Sequence, residues 1–231
     1  MDSSSYLRLA LVAALVAVLA QGCTPARSFG RHVDGHPWTP AEEALIMQGG
    51  EGVPMRVVGN DSTSGEKWLR APSLPVPVPD TVADRLTGRL QATGVAEKGV
   101  GVAAPQVGVG RRAIVVQRVD IEPEKPWRGY LNPVIVRSSP DVEEGWEGCL
   151  SVPAGFGRVS RPVKITVVYQ TQSGAIASED VSGFAARIFQ HETDHLDGIL
   201  FIDRMEPGEL VPKDRYREMR RREKEAGTPG K

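Results

Sequence analysis

The stretch FQHETDHLDG, Phe189 to Gly198, sets His191 and His195 four residues apart with Glu192 between them, the H-E-x-x-H arrangement of metal-dependent hydrolases. On a helix, positions four apart lie about 40° from each other in projection, so the two imidazoles can converge on one point with Glu192 in the same arc. Phe184 and Ile188 continue the histidine face upstream, and Asp197-Gly198 supplies a stop, so a helix is expected to open at Ser182 and end there. Two neutral imidazoles leave a tetrahedral cation short of ligands. Catalysis needs a third protein ligand, with the fourth position kept for water.

No histidine follows His195, but Asp203, Glu206 and Glu209 do, so a downstream carboxylate stays open as the third ligand. Cys149, in EGCLSVP (Glu147 to Pro153), is the better candidate: a thiolate among turn and strand residues would complete a Cys-His-His set. In isolation the same cysteine reads as an inert, half-buried thiol. A third stretch, KGVGVAAPQVGVG from Lys98 to Gly110, joins glycines that permit close backbone approach to a lone amide, Gln106, suited to donate to a carbonyl oxygen. It lacks G-x-x-x-x-G-K-[ST], which speaks against a phosphate loop.

Around these motifs the chain reads as α+β. Val82, Leu86 and Leu90 mark one face of a helix from Thr81 to about Gln91, and the proline-rich run Ala71 to Thr81 must be extended. Strands are expected at AIVVQ (113–117), YLNPVIV (130–136) and VKITVVYQ (163–170), where β-branched residues dominate. The expected architecture is mostly antiparallel sheets packed around a central helix carrying the H-E-x-x-H motif.

The 231 residues suffice for one catalytic domain plus tails, and 28 basic against 29 acidic residues give no reason to expect nucleic acid as a partner. Leu9 to Ala20 is an uncharged apolar run, too short for a hydrocarbon core of about 30 Å but long enough for the core of a signal peptide. It leads through Gln21-Gly22 into Cys23, resembling a bacterial lipoprotein cleavage box in which Cys23 is lipidated. The expected organisation is a signal segment over 1–23, a polar tether with one short helix over 24–52, a catalytic domain over 53–207, and a basic tail over 208–231 that reads as a solvated charged end. The expected location is membrane-anchored and exported. A misassigned start, with Met47 or Met55 as the true beginning, would instead make the protein cytoplasmic.

Taken together and in this order, GVGVAAPQ, EGCLSVP and QHETDHLDG resemble the three motifs of the peptide deformylases, over a span from about Val53 to about Asp203. Val102 departs from the leucine usual in the first motif. The resemblance implies one divalent metal ion held by Cys149, His191 and His195, often Fe(II), with zinc, nickel or cobalt possible. It implies Glu192 as proton carrier, with the Gln106 amide and the Leu150 backbone N–H holding the oxyanion. Gly99 and Gly101 would lie beside the substrate, and Glu147 or Arg158 would orient neighbouring groups. The implied substrate is an N-formylmethionyl peptide or nascent chain, which an exported protein would not meet at the ribosome. Two further readings therefore stand beside it: an exported amidase or peptidase of the same fold, and a metal-binding lipoprotein without turnover.

Overall fold

In this computed structural model the described residues are 35–226, so the signal segment, Cys23 and the first part of the expected tether lie outside them. Helices α1 (Pro40–Met47), α2 (Thr63–Leu69) and α3 (Thr81–Ala96) precede the first strand. A five-stranded sheet follows, in the order β1 (Gly101–Ala103), β2 (Ala113–Gln117), β3 (Trp127–Ser138), β6 (Lys164–Gln170) and β7 (Ile176–Ser182), with every pairing antiparallel.

Strands β2, β3 and β6 were expected, β1 and β7 were not, and β2 shows why the central strands were readable. Ala113 and Val115 pack with Ala83, Leu86 and Leu90 of α3, while Ile114 and Val116 pack on the opposite face with Ala185, Ile188 and Phe189 of helix α4 (Gly183–Leu196). A strand covered on both faces reads as an unbroken apolar run. Helix α4 is itself buried along eleven residues, Gln190 to Leu196 among them. It opens at Gly183 and not at Ser182, because Ser182 still pairs with Lys164 in the sheet. Helix α3 outruns its expected end near Gln91 and continues to Ala96. Gly94, which ordinarily weakens a helix, sits there because a Cβ would come within 2.4 Å of the Trp127 ring.

The second sheet, β4 (Val142–Cys149), β5 (Val152–Pro162) and β8 (Val211–Pro212), is also antiparallel and was not anticipated. Its strand β5 does alternate in burial, but the inward positions are Gly155, Gly157, Val159 and Arg161. Period-two burial carried by glycine and arginine leaves no apolar pattern to find. A last helix, α5 (Lys213–Glu225), follows β8.

The short N-terminal helix is docked, which corrects the expectation of a tether reaching to residue 52. Ile46 is fully buried in the core beneath α3, and the capping box of Thr39 and Glu42 forms. Arg111, 1% exposed, donates to Glu42 at 2.7 and 2.6 Å and to the carbonyls of His36 and Pro37 at 2.8 and 2.7 Å. These hydrogen bonds hold the Glu42 carboxyl down at about 2, against an ordinary 4.5. Glu42→Ala is expected to lower stability by about 2 kcal/mol at neutral pH, the worth of charged hydrogen bonds lost from a buried partner. Because the folded-state value is depressed, that difference is present above pH 4.5 and fades as pH falls through about 2. Urea unfolding at pH 7 and at acid pH checks both the size and the sign.

Candidate metal centre

Cys149 ends β4, and the two-residue turn Leu150–Ser151 reverses the chain into β5, with Cys149 opposite Val152. The turn is pinned by the Ser151 carbonyl, which accepts from Asn60 N–H at 2.8 Å. From the other side α4 presents His191 and His195. The ligand atoms of the three side chains lie within 4.8 Å of one another, and Cys149 Sγ is 3.2 Å from His195 Nε2. The downstream carboxylates are engaged elsewhere or turned outward. Asp203 forms a two-pronged pair with Arg70 at 2.8 and 3.0 Å, while Glu206 and Glu209 are exposed.

The donor set suits a tetrahedral divalent cation, for which nitrogen and sulfur ligands sit roughly 3.5 Å apart. His191 Nδ1 is occupied by Glu147 Oε2 at 2.9 Å, leaving Nε2 for an ion; a carboxylate behind a ligating imidazole fixes its tautomer and its aim. Burial alone would raise the Cys149 thiol, yet His195 and His191 bring it well below its ordinary value, so the sulfur is poised as a thiolate. Glu192 is 4% exposed, and its Oε2 has no hydrogen-bond partner. Burial lifts its carboxyl to about 7, against the opposing pull of His191 and His195.

Two other motif residues are oriented by backbone. Gln106 lies in a 3-10 turn after β1, where Ala103 N–H donates to its Oε1 at 2.8 Å. With the oxygen committed, the amide must turn its Nε2 outward, 3.3 Å from Cys149 Sγ. Gly101 is glycine for the sake of Glu192: a Cβ there would meet the Glu192 carboxylate oxygen at 2.5 Å and Ile188 at 2.8 Å. At Gly99 a Cβ would make only ordinary contact, 3.6 Å from Leu150, and this residue lines the cleft instead.

Glu147 and Arg158 part company. Glu147 is buried and receives Arg161 at both oxygens (2.8 Å each), Arg187 at 2.9 Å and His191. Burial would raise its carboxyl, but Arg161 and His191 hold it well below the usual carboxylate range. Arg158, by contrast, points outward to Glu144 at 2.7 Å, and both side chains are half exposed. Residues three apart on a strand face opposite ways, so Arg161 takes the inner place that Arg158 was expected to share. Arg161 also reaches Asp194 at 2.6 Å, one helical turn beyond His191. Sequence reasoning missed Arg161, Asp194 and Arg187. The available signal was Asp194 itself, an acid on the buried side of the H-E-x-x-H helix that needed a cation.

The ligand cluster opens into a cleft of about 620 Å³ lined by Gly99, Gly101, Gln106, Leu150, Ile188 and Glu192, among others. Phe184 stands at its mouth, 55% exposed, on the histidine face of α4 as expected.

Residues 62–210 match the family model for polypeptide deformylase. Peptide deformylase 2 of Nostoc sp. is 41% identical over 146 residues, covering 61% of this chain and 82% of that protein. The crystal structure of peptide deformylase from Thermotoga maritima aligns with a TM-score of 0.61 at 36% identity, over 67% of this chain and 99% of that one. A class I type b peptide deformylase from Acinetobacter baumannii, solved bound to Met-Ala-Ser, aligns with a TM-score of 0.61 at 34% identity, over the same shares.

Proposed function

The chain belongs to the polypeptide deformylase family, a family of metal-dependent hydrolases, and we propose from this that its Cys149-His191-His195 centre hydrolyses the formyl amide of N-formylmethionyl peptides, releasing formate. The observation that carries the reading within the site is Glu192, a buried carboxylate with an unpartnered oxygen beside three ligand atoms. A protein that only stores metal or binds peptide has no use for such a base.

When bound at Cys149, His191 and His195, a divalent cation supplies Lewis acidity to water and to the formyl carbonyl. Glu192 accepts a proton as water adds to the formyl carbon, and delivers it to the amine nitrogen as the carbon–nitrogen bond breaks. The Gln106 Nε2–H donates to the carbonyl oxygen as it gains charge, with the Leu150 N–H as the second donor. Formate release from formyl-Met-Ala-Ser, set beside cleavage of unformylated Met-Ala-Ser, tests the assignment. Formate alone is expected. Cleavage of the unformylated peptide would assign a peptidase, and inertness toward both would assign a binding protein.

The ion is proposed as Fe(II) if the protein is cytoplasmic, and as zinc or nickel if it is exported, because a thiolate-ligated ferrous ion is prone to oxidation. For location the proposal is a lipid-anchored exported protein. Its support is the apolar run Leu9 to Ala20 leading into Cys23. A shorter product beginning at Met47 or Met55 would also lack Glu42 and leave Arg111 buried without its carboxylate. N-terminal mass analysis of protein from its native host is expected to find a diacylglyceryl group on Cys23. An unmodified chain beginning at Met47 or Met55 would overturn the proposal.

A further inference from the structure

We propose that α5 furnishes a carboxylate-binding subsite in the substrate cleft, formed by Lys213 and Arg217 beside the Tyr216 ring, which favours formylated peptides carrying an anion downstream of the formyl group. The inference rests on the deformylase reading of the same cleft. Helix α5 lies beyond the family match, which ends at residue 210, yet Lys213, Tyr216 and Arg217 line the cleft that contains Cys149 and Glu192. This corrects the expectation that the basic tail is only a solvated charged end.

The helix is held in place there. Tyr216 stacks on Phe156 with ring centroids 4.0 Å apart and planes at 15°, and meets Trp146 edge-on at 5.2 Å. Strand β8, immediately before it, pairs with Gly155 and Phe156 of β5. Residues 213, 216 and 217 fall at i, i+3 and i+4, so one face of α5 presents cation, aromatic ring and cation together.

These cations are poorly satisfied by the protein. Among the described residues Lys213 has no ion-pair partner, although it is partly buried. Arg217 meets only Asp214 at 3.3 Å, with both side chains largely exposed, a pairing that contributes little. Like charges one turn apart repel, and an anion between them relieves the repulsion. The rest of the cleft does not offset them: Glu147 is taken up by Arg161 and Arg187, Glu192 faces the ligand cluster, and the formal charge of exposed Glu97 is cancelled by that of its chain neighbour Lys98. A concave site with an excess of one sign concentrates its field on ligands of the other.

The carboxylate can come from an acidic side chain or from the end of a short peptide. The test compares kcat/KM for formyl-Met-Ala-Ser amide, formyl-Met-Ala-Ser acid and formyl-Met-Ala-Glu amide, in the wild type and in a Lys213→Gln/Arg217→Gln variant. At low salt the wild type is expected to favour at least one anionic peptide over the neutral amide by about fivefold, through KM, and to lose the preference near 0.5 M salt. In the variant the ratio of anionic to neutral peptide is expected to fall below about twofold. Preference for the acid alone assigns the subsite to a chain terminus, and preference for the glutamyl amide assigns it to a side chain. Equal use of all three peptides by the wild type, or a preference that survives in the variant, would overturn the subsite. Failure of both proteins to release formate from any of them would overturn the deformylase reading instead.

Discussion

Glu192→Gln is expected to keep its metal and to release formate from formyl-Met-Ala-Ser about a hundred- to ten-thousandfold more slowly than the wild type, the usual worth of a positioned general base. The substitution preserves shape in a place where shape matters, since the side chain lies against Gly101. No hydrogen bond is lost at Oε2, which has none. The three ligand atoms are untouched, so metal content per chain should match the wild type. Cys149→Ala makes the contrast: it removes the sulfur from a three-ligand set and should lose metal and turnover together. Near-normal hydrolysis by Glu192→Gln would remove this residue from the mechanism, and loss of metal from it would reassign it as a ligand.

Arg161→Met is expected to lower stability by about 3 kcal/mol, the lower end of the range for breaking a buried ion pair. Arg161 and Glu147 side chains are each 4% exposed, and Arg161 bridges Glu147 to Asp194. Methionine fills much of the volume but leaves two carboxylates with fewer donors. The lower end applies because Arg187 still reaches Glu147 and Arg204 still reaches Asp194. A second readout separates packing from function. Glu147 aims His191, so metal affinity should weaken about ten- to a hundredfold. Denaturant unfolding of the metal-free protein measures the first effect, and competition with a chelator measures the second. A variant as stable as the wild type with unchanged metal affinity would show that Arg187 alone sustains Glu147.

The residues that meet at the centre were readable because each motif carries its own chemistry. An H-E-x-x-H helix announces two imidazoles, a lone cysteine in a turn offers the third ligand, and a lone glutamine among glycines offers the donor. What surrounds them was hidden for a common reason. Arg111 and Arg161 are buried charges and Arg187 is a largely covered one, and nothing in a sequence marks a charged residue as buried until its partner is found on another element. Glu42 reaches Arg111 across 69 residues and Glu147 reaches His191 across 44, distances over which no local pattern operates.

By itself, the order of residues determined the α+β character, the antiparallel strands with β-branched runs, and the identity of His191, His195 and Glu192 as one chemical unit. Those features follow from periodicity and from the narrow set of side chains able to bind a metal or move a proton. Only the tertiary structure decided that Cys149, and not a downstream carboxylate, stands beside the two histidines, that Arg161 and not Arg158 faces inward, and that α1 and α5 belong to the body of the protein. Each of these is a question of which face a residue presents and what lies opposite it. A glycine-rich strand and two short, charged helices do not encode the answer locally; packing against the rest of the chain does.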